Sequence, residues 1–165
     1  MSYIFQDWNA NKANIKGRMI LVMFRLGQVV QRNKVSKIIF LPLLVLLKVF
    51  LDWFLNVDIP FKTKIGEGCV IYHGHALVIF SDVKIGKNCV LRHSITIGNK
   101  GVGDESKSPI IGDNCDIGAQ SVIIGDVRVG DNVVVGAGSV VVKDITDNSI
   151  VVGNPARIIK KKNQS

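Results

Sequence analysis

The sequence predicts a parallel β-helix that follows a basic, apolar and helical N-terminal region. The first observation is an aliphatic residue that recurs at intervals of six through the second half of the chain. Its twelve members are Ile65, Ile71, Leu77, Ile85, Leu91, Ile97, Ile111, Ile117, Ile123, Val129, Val135 and Val141. A six-residue repeat cannot close a hydrophobic core by itself, so each repeat is expected to be one short strand and a turn, stacked on its neighbours.

The other positions of the repeat support this prediction. The residue after the aliphatic one is often glycine, which suits a tight turn: Gly66, Gly86, Gly112, Gly118, Gly130 and Gly136. The fifth residue is usually small, and strand alternation places it inside beside the next aliphatic residue. This position includes Cys69, Cys89 and Cys115. We therefore expect the three cysteines to fill the core, and their odd number without a CxxC pair favours a reducing cytoplasm.

The repeat resembles that of the hexapeptide-repeat acyltransferases. The resemblance implies a left-handed β-helix with three repeats per coil, about four to five coils here, and a homotrimer. We place a two-residue slip near Phe80–Lys84 and an excursion between Gly98 and Ile110. The predicted coils are then Ile65/Ile71/Leu77, Ile85/Leu91/Ile97, Ile111/Ile117/Ile123 and Val129/Val135/Val141.

Composition divides the chain into three segments. Residues 1–57 form the helical, basic and apolar region, residues 58–153 the β-helix with a loop at 99–109, and residues 154–165 a basic tail. Residues 1–64 hold ten Lys and Arg against three acids, so they carry about seven of the eight net positive charges. We expect deletion of residues 1–56 to release the protein from membranes while sparing the β-helix.

The N-terminal region contains two apolar runs, Met19–Leu26 and Ile38–Val57. Lys48 and Asp52 lie within the second run at helical i,i+4 spacing, and Pro42 interrupts its start, which argues against a bilayer span. Two interpretations remain. The helices pack on each other and on the trimer, or they lie on the anionic inner face of the cytoplasmic membrane. The basic charge has no interleaved aromatic platform, so nucleic-acid binding is not expected.

Equivalent positions of successive coils stack at about 4.8 Å. The third residue of each middle repeat gives one predicted column of His73, His93, Ala119 and Ala137. An edge of alanines leaves bare backbone, which suits a long, thin ligand such as the pantetheine arm of coenzyme A. His75 falls on the fifth position of its repeat, so we expect it to point inward.

Further motifs resemble the serine acetyltransferase branch, and within it the bacterial capsule and exopolysaccharide O-acetyltransferases of the colanic acid type. Asp58-Ile59-Pro60 precedes His73 by the fifteen residues that separate the catalytic Asp and His of that branch. Asn154-Pro155-Ala156-Arg157-Ile158 resembles the element that closes its coenzyme A site. The resemblance implies an acetyl-CoA-dependent O-acetyltransferase that uses no metal.

The implied mechanism is direct transfer without a covalent enzyme intermediate. His73 acts as general base, Asp58 orients it, and His93 or a backbone N–H near Gly98–Gly101 stabilises the oxyanion. The predicted coenzyme A contacts are Gly98, Asn99, Lys100, Gly101, Ala119, Ala137, Pro155, Arg157 and Lys160. The predicted acceptor contacts are Tyr72, His75, Arg92 and Lys107.

The acceptor is expected to be a glycan hydroxyl, on a polysaccharide or its lipid-linked precursor. Serine acetyltransferases carry an Arg and a His for the amino acid in a D-R-H-P segment, whereas this chain reads Glu105-Ser106-Lys107-Ser108-Pro109. His93 also replaces their usual Gln. Three alternatives remain: a serine O-acetyltransferase, a non-catalytic scaffold, and a zinc hydratase of the γ-carbonic anhydrase type that uses the three histidines.

Overall fold

The computed structural model describes residues 3–101 and 107–161, and in them a parallel β-helix follows a helical region. A short 3-10 turn (Tyr3–Phe5) precedes the helices α1 (Ile15–Gln31), α2 (Lys34–Ile39) and α3 (Leu41–Val49), and a π-helical turn (Phe50–Phe54) follows them. The described strands are β1 (Val57–Asp58), β2 (Lys64–Ile65), β3 (Val70–Ile71), β4 (Leu77–Ile79), β5 (Lys84–Ile85), β6 (Val90–Leu91), β7 (Thr96–Gly98), β8 (Ile110–Ile111), β9 (Asp116–Ile117), β10 (Val122–Ile124), β11 (Arg128–Val129), β12 (Val134–Val135), β13 (Val140–Val141), β14 (Ser149–Val152) and β15 (Arg157–Lys161). The predicted architecture is confirmed.

The strands form three sheets, and each coil contributes one strand to each sheet. Sheet A has the order β1-β4-β7-β10-β13, sheet B is β11-β8-β5-β2, and sheet C is β15-β14-β12-β9-β6-β3. Neighbouring strands are parallel except β14 and β15, which are antiparallel. The chain runs from sheet B to C to A, so three edges separate the sheets.

The interior of the β-helix holds the recurring aliphatic residues and the three cysteines, which are all buried. The cysteines are free thiols. The Cys89 thiol donates to the Gly112 carbonyl at 3.2 Å, and the Cys115 thiol donates to the Gly130 carbonyl at 3.1 Å. These thiols fill the narrow core and bond to the coil above, as the predicted role of core fillers requires.

The register of the first complete coil differs from the prediction. Ile79, not Leu77, pairs with Ile97, while Leu77 pairs with Val57. The two additional residues therefore lie in the turn between Ile71 and Leu77, and the slip placed near Phe80–Lys84 was wrong. The six-residue spacing could not decide this, because Leu77 and Ile79 are both buried.

Side chains of the N-terminal region close the open start of sheet C. The Asp7 carboxylate accepts from the backbone N–H of Cys69 at 3.0 Å. The side-chain amides of Asn11 and Asn14 donate to the carbonyls of Cys69 and Ile71 at 2.8 and 2.7 Å. A strand edge exposes unpaired backbone groups, and here these side chains supply the partners that a further strand would supply.

Arg25 of α1 supplies hydrogen-bond partners to the open edge of sheet B. Its guanidinium is fully buried, pairs with Asp7 at 2.8 Å, and donates to the carbonyls of Ile65 at 2.8 Å and Gly66 at 2.7 Å. With β1 covering sheet A, all three sheets are capped by residues before β2. Deletion of residues 1–56 would uncover buried polar groups, so we now expect it to destabilise the β-helix, contrary to the expectation from composition.

The predicted basic tail contains a strand. Of residues 154–165 the structure describes 154–161, in which Arg157–Lys161 form β15 against β14. Every residue of β15 is exposed. Lys162 lies outside the described residues. At the other end of the chain, none of the described helices combines the length and hydropathy needed to cross a bilayer.

Candidate active site

Three histidines gather at the edge between sheets C and A, which we call the histidine edge. The rings of His75 and His93 are stacked, with centroids 5.2 Å apart and planes inclined by 5°. The ring of His73 stands edge-on to His93, with centroids 6.2 Å apart. The fold therefore brings together all three histidines of the chain, which lie twenty residues apart at most.

The column of equivalent positions begins with His75 rather than His73. Ser94 N–H donates to the His75 carbonyl at 2.9 Å, and one coil further Gln120 N–H donates to the His93 carbonyl at 3.1 Å. Gly138 N–H donates to the Ala119 carbonyl at 2.8 Å in the same pattern. The column is thus His75, His93, Ala119 and Ala137. The predicted inward position of His75 was wrong, because its side chain is exposed.

The turn that carries His73 and His75 contains the two additional residues. His73 has a φ of +54° and Ala76 a φ of +48°, whereas the next turn has this left-handed backbone at Ser94 alone. Gly74 lies between them, where an added Cβ would stand 2.5 Å from Ile20 of α1. Helix α1 therefore packs directly under the turn and holds its conformation.

Hydrogen bonding fixes the orientation of one imidazole. His75 Nδ1 lies 2.9 Å from the His73 carbonyl oxygen, which accepts only, so Nδ1 carries the proton. In neutral His75 the other nitrogen, Nε2, is then the free acceptor. His93 Nδ1 is buried and has no hydrogen-bond partner among the described residues. The cluster thus offers an oriented base and an unsatisfied ring nitrogen.

Asp58 does not contact His73 in this structure. It lies on β1 beside Val78, and its half-exposed carboxylate accepts from Lys48 Nζ at 2.7 Å. Lys48 also binds Asp52 at 2.8 Å, which realises the predicted i,i+4 pair. Among the described residues no hydrogen bond joins Asp58 to His73. In this structure the Asp58 carboxylate pairs with Lys48, and its role in orienting His73 stays a prediction.

The alanines of the column leave an open strip of backbone, as the sequence predicts. Ala137 is exposed and Ala119 is partly so. The C-terminal segment ends beside this strip, since Ala156 N–H donates to the Val140 carbonyl at 2.8 Å. Pro155, Arg157 and Lys160 are exposed in that segment. The predicted coenzyme contacts at the end of the column are thus brought near one another.

The remaining predicted coenzyme contacts lie at a different edge, between sheets A and B, which we call the loop edge. Gly98 ends β7 and is buried under Phe80, and Asn99, Lys100 and Gly101 follow it. Gly98 is five residues beyond His93, up to about 16 Å along an extended chain. Within one chain, the predicted oxyanion donor at Gly98–Gly101 is therefore separated from the histidines by the width of sheet A.

Lys107 also lies at the loop edge, where its ammonium pairs with Asp126 at 3.1 Å. It lines an open cleft of about 520 Å³ together with Asp82, Lys84, Ser108, Ile110, Asp126, Arg128 and Asp144. Glu105 and Ser106 lie outside the described residues. This cleft is on sheet B and no histidine lines it, so the cleft and the histidine edge are distinct.

Arg92 and Tyr72 flank the histidines at the preceding position of each coil. Both guanidinium arms of Arg92 donate to the Asp116 carboxylate, and this hydrogen bonding raises the pKa of Arg92. Its charge is therefore already paired, which weakens its predicted role as an acceptor contact. Tyr72 is 42% exposed beside it and is free to meet a ligand.

No three histidine, cysteine or acidic side chains of the described residues are arranged to share one metal ion. The zinc alternative would draw its ligands from neighbouring copies of the chain. The stacked geometry of His75 and His93 places two rings face to face.

Comparison with known proteins identifies the family. The family model for bacterial transferase hexapeptide (six repeats) matches residues 108–143. The chain is 35% identical over 159 residues to a protein of Escherichia coli K12 that is provisionally named colanic acid biosynthesis acetyltransferase WcaB, covering 94% of this chain and 98% of that one. The chain belongs to the hexapeptide-repeat acetyltransferases. The fold class of this family is the left-handed β-helix, as predicted.

Serine acetyltransferases are also relatives of this hexapeptide-repeat acetyltransferase. It is 42% identical over 106 residues to serine acetyltransferase 5 of Arabidopsis thaliana, covering 64% of this chain and 34% of that protein. The solved apoenzyme structure of soybean serine acetyltransferase superposes with a TM-score of 0.83 at 30% identity, covering 96% of this chain and 68% of that one. The predicted enzyme class is confirmed.

Proposed function

We propose that this acetyltransferase transfers acetyl from acetyl-CoA to a hydroxyl of a polysaccharide or of its lipid-linked precursor. The observation that carries the proposal is the column of His75, His93, Ala119 and Ala137, in which imidazoles continue into bare backbone along one edge. Acyl transfer from acetyl-CoA to a hydroxyl needs a general base near the thioester and an open surface along which the pantetheine arm lies. This edge offers both within four coils.

The donor lies along the alanine strip in this proposal. The pantetheine arm is long and thin and can bond to main-chain groups that no side chain covers. Arg157 and Lys160 are exposed beyond the strip and offer positive charge to the coenzyme phosphates. The thioester then points toward His93.

The chemistry is a direct acyl transfer. An imidazole accepts the proton of the acceptor hydroxyl as its oxygen attacks the thioester carbonyl carbon. A donor stabilises the oxyanion of the tetrahedral intermediate. Its collapse breaks the carbon–sulfur bond, and the coenzyme A sulfur takes the proton from the imidazolium. We assign the base to His73 from the resemblance to serine acetyltransferases, and the oxyanion contact to His93, which precedes the alanines in the column.

A homotrimer would complete the site. The histidine edge and the loop edge are separated within one chain, yet both hold predicted contacts. In a three-fold assembly the loop edge of one copy can face the histidine edge of the next, which would bring residues 99–101 and Lys107 to the histidines. The acceptor pocket is then formed between two copies.

The glycan acceptor is supported by a relative that matches over 94% of this chain and whose name places it in colanic acid biosynthesis. Serine remains the second candidate, because serine acetyltransferases are also relatives. Two observations favour the glycan. Lys107 stands in the segment where serine acetyltransferases carry their Arg and His, and its ammonium is already paired with Asp126.

Thiol release from acetyl-CoA by the purified full chain tests this proposal. L-serine is compared with soluble and lipid-linked oligosaccharides of the host glycan at matched concentrations. We expect turnover with an oligosaccharide and only background hydrolysis with L-serine. Turnover with L-serine alone would assign the chain to amino acid acetylation instead.

A further inference from the structure

A second surface, distant in sequence from the histidines, is strongly apolar and faces solvent. Half of the exposed large hydrophobic side chains in the described residues fall within residues 35–54. We call this set the apolar face: Val35, Ile38, Ile39, Phe40, Leu41, Val45, Leu46, Val49, Trp53 and Phe54. Contiguous exposed apolar surface of this kind marks an interaction site in soluble proteins.

The exposed apolar residues of α3 lie on one side of that helix. Leu41, Val45 and Val49 are exposed at helical intervals of four, whereas Leu44 and Leu51 are buried against the rest of the protein. The π-helical turn extends the same side to Trp53 and Phe54, which are 83% and 74% exposed. The helix is thus apolar on both sides, and within residues 3–101 and 107–161 only one of the two sides is covered.

Most of the charges along the apolar face are positive. Residues 31–51 contain Arg32, Lys34, Lys37 and Lys48 and no acid. Asp52 follows, and Lys48 pairs with both Asp52 at 2.8 Å and Asp58 at 2.7 Å, so the basic border of the face lies at α2. Lys34 and Lys37 are exposed, and Lys37 also lines a cleft of about 390 Å³ together with Gln31, Leu41, Leu44, Val45, Lys48, Pro60, Phe61 and Lys62. Apolar side chains with a basic border match an anionic lipid surface.

We propose that the apolar face docks this enzyme on an anionic membrane surface, with α2 and α3 lying in the interface. The apolar side chains enter the headgroup region, Trp53 lies at its boundary, and Lys34 and Lys37 meet lipid phosphates. A second copy of the chain fits this face less well. If α2 of one copy met α2 of the other, Lys34 and Lys37 of both copies would lie close together and repel each other.

The experiment is sedimentation of the full chain with vesicles of phosphatidylcholine alone or with added phosphatidylglycerol. It needs no acetyl acceptor, so it does not depend on the proposed function. The apolar variant is Leu46→Glu/Trp53→Glu, and its matched control is Ile15→Glu/Met19→Glu, two exposed apolar residues of α1. The charge variant is Lys34→Glu/Lys37→Glu, matched by Lys12→Glu/Lys143→Glu elsewhere on the surface.

We expect the wild type to sediment with the anionic vesicles, and less so as salt is raised. The apolar variant and the charge variant should each show a partition coefficient onto anionic vesicles that is lower by roughly tenfold or more. The two control variants should partition like the wild type. Absence of vesicle binding, or equal losses in the controls, would overturn the proposal. A reduced molar mass of Leu46→Glu/Trp53→Glu in light scattering, with no vesicle binding by the wild type, would assign the face to contact between copies.

Discussion

The imidazole of His75 stacks on that of His93 at a centroid distance of 5.2 Å, and the backbone of the two residues occupies the same position in successive coils. His73, which the motif of serine acetyltransferases marks as the base, stands beside this pair in the same turn. His73 and His75 of this turn are therefore both candidates for the general base. The geometry fixes the tautomer of His75, while the family motif favours His73.

Replacement of each histidine separates these roles. We expect His73→Ala to lower kcat by roughly 10²- to 10⁴-fold, the usual contribution of a general base. His75→Ala should act mainly through KM, because in this account it contacts the acceptor. Steady-state kinetics with acetyl-CoA and the glycan acceptor give both constants. A large fall in kcat for His75→Ala with a small one for His73→Ala would transfer the base to His75.

Replacement of Asp58 gives a second test of the motif shared with serine acetyltransferases. If Asp58 orients His73 during catalysis, Asp58→Asn should lower kcat at least roughly tenfold, whereas Lys48→Met should not, since it frees the carboxylate. The Lys48 pair is partly exposed, so neither change should cost more than about 1 kcal/mol of stability. Equal losses of kcat in the two variants would instead mean that the pair only tethers α3 to β1.

The buried pair of Arg25 and Asp7 should determine how firmly α1 caps the β-helix. Arg25→Met leaves Asp7 and two carbonyls without their buried donor, so we expect a loss of about 3–5 kcal/mol. Arg18→Met is the matched control, because Arg18 lies over Trp8 at the surface of the same helix. Urea unfolding at fixed protein concentration measures both. A loss in Arg25→Met no larger than in the control would contradict the capping role.

Cys69 gives the chain a predicted sensitivity to alkali. Burial, with the nearby Asp7 carboxylate, raises the pKa of this thiol to about 12 from an ordinary value of 9.0. The raised value favours the folded state below pH 9, and this contribution is lost as pH rises from 9 to 12, because the unfolded chain releases the proton first. We expect stability to fall across this window by about 1.4 kcal/mol per pH unit at most. Cys69→Ser should show a shallower decline.

Alkylation checks the same thiol in the folded state. Iodoacetamide should leave Cys69 unmodified at pH 8.5 in the native protein and modify it after unfolding, because the thiolate is the reactive form. Modification of the native protein within minutes would mean that the first coil opens readily. Peptide mass spectrometry distinguishes Cys69 from Cys89 and Cys115.

The sequence was sufficient for the architecture because the β-helix repeats its inward positions. A residue such as Ile117 has the same repeat position as its neighbours in the adjacent coils, so the repeat alone identifies the residues that stack on it. The small residues at the fifth position indicate a narrow core. The register of the histidine turn was not accessible in this way. Leu77 and Ile79 both face inward, so the aliphatic spacing alone fits either placement of the two additional residues.

The contacts between the N-terminal region and the β-helix could not be predicted from the sequence either. Nothing in the pattern links Arg25 to the carbonyls of Ile65 and Gly66, forty residues away, since a buried ion pair has no periodicity. Composition suggested two separable parts, whereas polar side chains of one part complete the backbone bonding of the other. A signal was present in retrospect: Asp7, Asn11 and Asn14 are short polar residues placed just before an amphipathic helix.

Formation of an acetyl ester on the glycan tests the central claim most directly. The full chain is incubated with acetyl-CoA labelled with ¹³C at the acetyl carbonyl and the host oligosaccharide, and the product is followed by NMR beside His73→Ala. We predict a new ester carbonyl signal on one sugar hydroxyl that depends on His73. An equal signal from the His73→Ala variant, or label that appears only as free acetate, would contradict the account.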